Sequence, residues 1–468
     1  MAPIESYPRY TKASVAPSPC VPPRPLLALR RPPPATAPPA PERPALAAPA
    51  GYTRSVHAAP AAWPKTLKEG AGALSRSSTP FGPAPAPNGA DGNGEGKAER
   101  AARIVREKDV CVSARRDATY WPINEAEAGG QPAQWLSVER WTRDIPAQDG
   151  ITLVVAHANG IQKELYHPMM AGVIEQTGPG ALFGSGAPLP SGPGAPVIND
   201  IWFLDDAHHG ASVDLNAGLL GPVYAWADCA RDVANFVLHV LPAVRGSAYQ
   251  MEWSDTAPVT PVVGVGHSIG GNALVQAAAM CDAFSALLLI EPMCQPAIGN
   301  VQIKLGHPIV QGALRRRASW PSLSSAASVR NNAMFASWSD QVFALYLATS
   351  LVPGPDGTDG VDGGVTLATP TWAEAAVFAD PEGPQHGWDA LPRLQCPVGF
   401  VLGDDQAWLG GPKVVPEIPW RAPRSRNERL RAGSHLLPQE APEQCAQSVC
   451  RFLCTLEAGV WDVVGSKL

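Results

Sequence analysis

The stretch PVVGVGHSIGG, residues 261 to 271, joins an apolar β-branched run to a serine that is framed by glycines. The run from Pro261 to Val265 predicts a buried strand, and the small residues from Gly271 to Ala279 predict a helix after it. Gly266 to Gly270 matches the pattern Gly-x-Ser-x-Gly, which becomes specific in a strand-turn-helix setting. The sequence therefore predicts a sharp turn that presents Ser268 above the edge of a sheet.

A serine in such a turn adopts a strained backbone conformation, which projects its hydroxyl out of the sheet. Gly266 and Gly270 have no Cβ, so the strand and the helix can approach each other closely around Ser268. The N-terminus of the helix would point at the serine and stabilise a developing oxyanion. A dinucleotide-binding loop is excluded because Ile269 stands where the third glycine of that motif belongs. These features favour a nucleophilic Ser268 in an α/β-hydrolase fold.

Apolar runs alternate with helical stretches over residues 101 to 464, which predicts an α/β domain with a mostly parallel sheet and helices on both faces. An apolar stripe predicts a helix over Trp226 to Leu241. Besides the strand before Ser268, four runs predict buried strands, at Ile151–Ala156, Ile201–Leu204, Ala286–Ile290 and Pro397–Leu402.

The last two of these strands are separated by an insertion, residues 295 to 394. Its first part has a helical pattern, and Val352 to Gly364 is a loop rich in glycine, aspartate and proline. An insertion at the carboxyl ends of the strands of such a sheet lies over the active crevice. We therefore expect a largely helical lid.

Residues 1 to 100 hold about two fifths of the 51 prolines, with alanine, serine and glycine in much of the remainder. Proline runs carry neither helix nor ladder hydrogen bonds, and few large apolar residues are present to offset the entropy lost on folding. We therefore expect residues 1 to 100 to be disordered, and residues 465 to 468 to form a tail after the domain.

Composition excludes several classes of function. The net charge of -6 and a pI near 5.9 argue against nucleic-acid binding. We expect no membrane span, because no stretch approaches the roughly 18 consecutive apolar residues that one needs. Met1 to Tyr10 has no pattern of a secretory signal. The nine cysteines are odd in number and form no Cys-x-x-Cys motif, so neither a disulfide framework nor a metal site is predicted. We also expect no cofactor.

A serine nucleophile needs a histidine base, which follows it in the chain in this fold. Three histidines lie downstream: His307, His386 and His435. The first two fall in the predicted lid. His435 lies in a loop just before a helix with an apolar stripe, which is where the base belongs, and it is the predicted base.

The base needs an orienting carboxylate, and two sites offer one. Glu291 follows the strand Ala286–Ile290, whereas Asp404 and Asp405 follow Pro397–Leu402. Both sites can reach a histidine above the sheet, so the spacing leaves the choice open.

An oxyanion hole needs two backbone N–H groups. One is expected from Ile269, directly after the serine, and the second from the loop after the first predicted strand. Asn159 is the predicted donor there, with Gly160 or Ile161 as alternatives, and His157 is interpreted as a structural loop histidine.

The chain resembles a group of fungal peroxisomal α/β-hydrolases over roughly residues 110 to 468. The group includes an acyl-CoA hydrolase of mycophenolic acid biosynthesis, hydrolases of host-selective toxin biosynthesis and a yeast peroxisomal lipase. The resemblance rests on HANG at 157–160 with KELY at 163–166, GHSIGG at 266–271, IEP at 290–292 and GSH at 433–435. It implies that the acid follows the strand after the serine helix, which here is Glu291.

The chain ends in Ser466-Lys467-Leu468, which matches a peroxisomal address that an import receptor reads. The expected function is thus hydrolysis of an acyl-CoA thioester or an ester by way of an acyl-serine in the peroxisome. Alternatives are a lipase or carboxylesterase acting on neutral esters, and a catalytically silent binding protein.

Three adjacent arginines, Arg315, Arg316 and Arg317, lie in the helical part of the predicted lid. Adjacent residues on a helix point in different directions, so a solvated charged surface is the simpler interpretation. The functional hypothesis is that at least one binds the phosphates of coenzyme A, since guanidinium suits bidentate phosphate binding.

Overall fold

The computed structural model describes most of the chain. The described residues are 8–12, 22–76, 79–81, 96–121, 131–177, 182–183, 187–188, 196–244, 248–256, 261–296, 307–354, 364–431, 433–458 and 462–463.

A nine-stranded sheet forms the centre of this described part. In chain order its strands are β1 Tyr52–Pro60, β2 Trp135–Arg143, β3 Ile151–Ala156, β4 Ile198–Leu204, β5 Val262–His267, β6 Ala286–Ile290, β7 Val398–Gly403, β8 Arg424–Leu430 and β9 Asp462–Val463. Their order across the sheet is β1-β2-β4-β3-β5-β6-β7-β8-β9. The six adjacent strands β4, β3, β5, β6, β7 and β8 run parallel to one another. Strands β1, β2 and β9 are antiparallel to their neighbours.

Helices cover both faces of the sheet. The longer ones are α1 Lys97–Asp117, α2 His167–Thr177, α3 Trp226–Asn235, α4 Ile269–Met280, α5 Pro308–Arg315, α6 Asp340–Thr349, α7 Thr371–Phe378, α8 Gly383–Ala390 and α9 Pro442–Ala458. Four-residue helices span Ser212–Leu215, Leu323–Ala326, Ala333–Ala336, Ile418–Arg421 and Leu437–Glu440, and a π-helical turn, Phe236–Val240, continues α3. Single 3₁₀ turns span Lys68–Gly70, Lys163–Tyr166, Leu241–Ala243, Ala327–Asn331 and Leu391–Arg393.

The central strands are apolar on both faces because both faces are covered. Val154 of β3 packs in one hydrophobic cluster with residues of α3 and α4. Its neighbours Leu153 and Val155 point the other way, into a second cluster with residues of α2 and α9. The sheet therefore separates two cores, and the predicted α/β architecture is confirmed.

The five predicted strands are all present, with ends shifted by at most three residues. Strands β2 and β8, WLSVERWTR and RSRNERL, were not predicted because their charged residues hide the pattern of a strand. Glu139 of β2 is fully buried, yet it receives a hydrogen bond from Trp141 Nε1 at 2.8 Å and forms an ion pair with Arg54 at 2.7 Å. Polar strands can be buried where every charge has such a partner.

The expectation that residues 1 to 100 are disordered is wrong for residues 52 to 74. Strand β1 pairs with β2 over its whole length, and a second short strand spans Ala71–Leu74. Ahead of them, residues 22 to 50 hold no helix or strand apart from an isolated bridge, but Leu27 is buried and its carbonyl accepts a hydrogen bond from Arg231 at 2.8 Å. The prediction failed because it depended on the number of large apolar residues. The segment is instead held by ladder hydrogen bonds, buried alanines and polar contacts. Residues 52 to 74 therefore belong to the folded part of the chain.

The insertion between β6 and β7 is largely helical in its described residues, as predicted. A small antiparallel sheet of Ser319–Trp320, Val365–Leu367 and Leu351–Pro353 joins its parts. Most of the predicted Gly/Asp/Pro loop, residues 355 to 363, lies outside the described residues. Helix α1 supports this lid, since Ile104 and Cys111 pack in one cluster with Leu314 of α5 and Ala375 of α7.

None of the helices that the structure describes is long and apolar enough to cross a membrane. The eight cysteines among the described residues form no disulfide, and six of them are buried. Burial raises the pKa of the Cys281 and Cys396 thiols to about 11, so these two are neutral at physiological pH.

A substitution of Lys65 tests whether the N-terminal segment is packed on α3. Its ammonium lies 3.2 Å from Asp232 of α3, and both side chains are buried. Burial raises the pKa of Asp232 to about 6, although Lys65 and the N–H of Ala62 lower it. Lys65→Met should therefore reduce the free energy of unfolding by about 3 kcal/mol at pH 8, because it leaves a buried carboxylate unpaired.

The loss should shrink at pH 5, where Asp232 stays protonated in the folded protein. Urea denaturation at both pH values measures this, with Lys68→Met as the control because Lys68 is exposed. Equal stability of the two variants would contradict the packing of this segment on α3.

Candidate active site

The Gly-x-Ser-x-Gly turn lies between β5 and α4. Ser268 has φ 56° and ψ -118°, a conformation that side chains rarely adopt. A Cβ on Gly270 would lie 2.2 Å from the carbonyl oxygen of Ala156, and one on Gly266 would lie 2.6 Å from a methyl carbon of Leu274. Only glycine fits at these two positions, as the sequence predicted, and the helix begins directly after the serine, at Ile269.

Ser268, His435 and Glu291 form a hydrogen-bonded chain. Oγ of Ser268 lies 2.8 Å from Nε2 of His435, and Nδ1 of His435 lies 3.2 Å from Oε2 of Glu291. The other oxygen of Glu291 accepts the backbone N–H of Gly403 at 2.6 Å. A carboxylate only accepts, so His435 donates from Nδ1 and its Nε2 is free to accept the serine proton. All three side chains are buried.

The alternative acids lie elsewhere. Asp404 pairs with Arg429 at 2.7 Å, and its side chain is 40 % exposed. Asp405 accepts the backbone N–H of Ala407 at 3.0 Å. Neither forms a hydrogen bond with His435, so the geometry brings Glu291 to the histidine and leaves both aspartates in the loop after β7.

The other downstream histidines belong to the lid. His307 immediately precedes α5, and His386 lies within α8. Neither forms a hydrogen bond with Ser268 or Glu291, so His435 alone of the three downstream histidines joins the chain.

Two further buried residues support this chain and were not assigned roles from the sequence. Nε2 of His267 lies 2.7 Å from the carbonyl oxygen of His435, and its Nδ1 lies 2.7 Å from the hydroxyl of Tyr166. That hydroxyl also accepts the N–H of Ala158 at 2.9 Å. Because a carbonyl only accepts, His267 donates from Nε2 and Tyr166 donates to Nδ1. Burial lowers the pKa of His267 to about 3, so it stays neutral and links the loop after β3 to the loop of His435.

Trp408 is a third residue that the sequence gave no reason to select. Its ring is stacked nearly parallel to that of His435, with centroids 5.4 Å apart and an angle of 14°. Trp408 is 41 % exposed, which is unusual for so large an apolar residue. It therefore covers the outer face of His435 and presents an apolar surface to solvent.

The loop that follows β3, residues 157 to 161, lies beside the serine turn. Oδ1 of Asn159 lies 2.8 Å from Nε2 of His209, and Nδ2 of Asn159 donates to the carbonyl of Glu374 at 3.0 Å. Gly160 has φ 73°. Ile269 is the first residue of α4, so its N–H has no partner inside the helix.

His157 has the structural role that the sequence indicated. Its Nδ1 donates to the carbonyl of Ala158 at 2.8 Å, and its Nε2 accepts the N–H of Asp206 at 3.0 Å. Burial and the neighbouring His209 lower the pKa of His157 to about 4. It is therefore neutral and has no free nitrogen for proton transfer.

The three lid arginines differ in their surroundings. Arg316 forms a short ion pair with Glu374 and is only 18 % exposed. Arg317 is exposed beside the ring of Trp320, 5.6 Å from its centroid, and Arg315 is exposed as well. Arg316 is thus committed to a carboxylate of the protein, while the other two face solvent.

No group of three or more histidine, cysteine, aspartate or glutamate side chains in the described residues is arranged to hold a metal ion. The C-terminal tripeptide, Ser466 to Leu468, lies outside the described residues.

Among curated proteins, the chain is similar to the type I acyl-CoA thioesterase mpaH of Penicillium roqueforti. The two are 28 % identical over 247 residues, which are 49 % of this chain and 50 % of the relative. The chain thus spans about half the length of that thioesterase. It is also 25 % identical over 231 residues to the abhydrolase domain-containing protein AFT2-1 of Alternaria alternata, covering 43 % of this chain and 86 % of the relative.

Among solved structures, the chain resembles the peroxisomal α/β-hydrolase Lpx1 of Saccharomyces cerevisiae with a TM-score of 0.54. The match covers 87 % of this chain and 90 % of that one at 15 % identity, and therefore supports the fold only. Residues 153 to 448, which include the serine turn, Glu291 and His435, match the alpha/beta hydrolase family. The chain belongs to the alpha/beta hydrolase family.

Proposed function

We propose that this protein is a serine hydrolase that cleaves acyl thioesters or esters through an acyl intermediate on Ser268. The observation that carries the proposal is the unbroken hydrogen-bonded chain from Ser268 through His435 to Glu291. Geometry of this kind raises the reactivity of a hydroxyl that is otherwise a poor nucleophile.

In the first half of the reaction, Ser268 attacks the acyl carbon while its proton moves to Nε2 of His435. His435 then gives that proton to the leaving thiolate or alkoxide, and the acyl-serine remains. In the second half, water attacks the acyl-serine and loses a proton to His435, which returns it to Ser268 as the free acid departs. Glu291 holds the imidazole in the required tautomer and stabilises the imidazolium that forms in each half.

The negative charge that develops on the acyl oxygen needs two N–H donors. Ile269 offers one at the N-terminus of α4, where the helix dipole also favours negative charge. The backbone N–H of Asn159 is the second donor that we propose. Its loop is held by hydrogen bonds from the N–H of Gly160 to Nε2 of His209 and from Nδ2 of Asn159 to the carbonyl of Glu374.

The substrate class that we favour is an acyl-CoA thioester. The similarity to an acyl-CoA thioesterase supports this choice, as does the exposure of Arg315 and Arg317 on the lid, where they are free to meet phosphates. Neutral esters are the alternative substrates, and Trp408 supports either by offering an apolar surface next to His435. Turnover of acyl-CoAs against matched p-nitrophenyl esters of equal chain length separates the two.

Peroxisomal residence is part of the proposal. It rests on the terminal Ser466-Lys467-Leu468, which a receptor reads as an address. The structural resemblance to a protein described as peroxisomal agrees with it.

Ser268→Ala should abolish hydrolysis of thioesters and esters alike, because it removes the attacking oxygen. The fold should survive, because the substitution removes only the Oγ atom. Among the described side chains, that oxygen is hydrogen-bonded only to His435. Turnover and labelling by a fluorophosphonate probe measure this against wild type. Retention of roughly a tenth of the turnover would mean that the nucleophile is another residue.

Glu291→Gln should lower kcat by about 10⁴, because an amide opposite Nδ1 favours the wrong tautomer of His435. Asp404→Asn is the matched control. It weakens a partly exposed ion pair with Arg429, worth up to about 1 kcal/mol of stability, and should leave kcat within about twofold. The reverse ranking in steady-state kinetics would return the acid to the loop after β7.

Deleting Ser466 to Leu468 should move an N-terminally tagged protein from peroxisomes to the cytosol. Its turnover in vitro should not change, because the deletion leaves residues 8 to 463 intact. Fluorescence co-localisation with a peroxisomal marker measures the effect. Continued import of the shortened protein would point to another signal or to a co-imported partner.

A further inference from the structure

The lid touches the loop of residues 157 to 161 directly. The side-chain amide of Asn159 donates to the backbone carbonyl of Glu374, which lies on α7. A Cβ on Gly160 would lie 2.9 Å from the carboxyl carbon of Glu374 and 3.3 Å from Nη1 of Arg316. A side chain at position 160 would not fit against this pair, so a shift of the pair towards the loop would displace it.

The opposite side of the loop is held by the body of the domain. The N–H of Gly160 donates to Nε2 of His209 at 3.0 Å, and Nδ1 of His209 lies 3.3 Å from Asp206. His209 is buried. The Asn159–Gly160 turn is therefore gripped from two sides, by a fixed histidine and by the lid.

The ion pair ties two lid helices together at this point. Arg316 directly follows α5, and Glu374 lies on α7. Burial lowers the pKa of Arg316, but the carboxylate of Glu374 outweighs it and the net shift is upward, so the guanidinium stays charged. The Glu374 carboxylate is only 7 % exposed, so without the charge of Arg316 it would have to turn towards water or take up a proton.

We propose that Arg316 and Glu374 are positioning residues that fix the oxyanion-binding N–H of Asn159 from the lid side. The inference rests on the proposed function, since it presupposes that this N–H stabilises the transition state. It gives Arg316 a different role from Arg315 and Arg317, because it acts on every acyl substrate through the loop and needs no phosphate. The position of the lid is thereby coupled to the reactivity of Ser268.

Arg316→Gln should lower kcat for a short p-nitrophenyl ester by about 10- to 100-fold, somewhat less than the loss of a whole oxyanion donor. The KM should change by less than about twofold, because the ester is held mainly by other contacts in the ground state. Affinity for a trifluoromethyl ketone, whose adduct with Ser268 carries an oxyanion, should fall in parallel with kcat. Arg316→Lys should restore most of both, since it keeps a charge beside Glu374.

Arg330→Gln is the matched control, since it removes another lid arginine whose ion pair, with Asp340, lies at the surface. Concentrations of active enzyme come from titration with a fluorophosphonate, so loss of folded protein does not count as loss of kcat. Wild-type kcat and ketone affinity in Arg316→Gln would overturn the inference, as would an equal loss in Arg330→Gln. If Ser268→Ala is inactive while Arg316→Gln is not impaired, the proposed function stands and only the positioning role fails.

Discussion

The close approach of α4 to the sheet is the constraint on which the rest of the site depends. Gly270 packs against the backbone of Ala156 in β3, and Gly266 packs against Leu274 and the backbone of Gly270. This contact holds Ser268 in a conformation with positive φ that costs of order 1–3 kcal/mol. A side chain at either glycine would push the helix outwards, and its free N–H groups would then no longer lie beside the serine.

The parallel sheet gathers the other groups because its strands all end at one edge. β3 leads into the Asn159 loop, β5 into Ser268, β6 into Glu291 and β7 into Gly403. Neighbouring strand ends are close, so the N–H of Gly403 can bind a carboxylate that comes from the adjacent strand. Buried Glu291 and His435 are both hydrogen-bonded at this edge, as the low dielectric of the interior demands. His267 has a hydrogen-bond partner at each ring nitrogen and thereby holds two loops in place.

Lid and body are joined by packing and by buried charges. Helix α1, which precedes the sheet's parallel strands in the chain, lies against α5 and α7, and its Arg115 forms an ion pair with Asp380 at 2.8 Å. Helix α1 thus holds the lid helices in place, and with them the contact between the lid and the Asn159 loop. Trp408 covers His435 from the loop after β7, so the site is bordered by elements from both halves of the chain.

The local sequence determined the strand-turn-helix at Ser268, the five apolar strands, the helical lid and the role of His435 as a candidate base, because each depends on patterns within a few residues. The spacing left Glu291 and the two aspartates open, and the family resemblance implied Glu291. The tertiary structure separates them physically, by directing Asp404 to Arg429 and Glu291 to His435. The local sequence also missed β1, β2 and β8, since alanines and charged residues become buried there only through partners far away in the chain. The ion pair of Arg316 with Glu374 and the stacking of Trp408 on His435 are of the same kind. Such contacts join residues tens of positions apart, and no periodicity or spacing in a sequence records which buried charge or ring will find which partner.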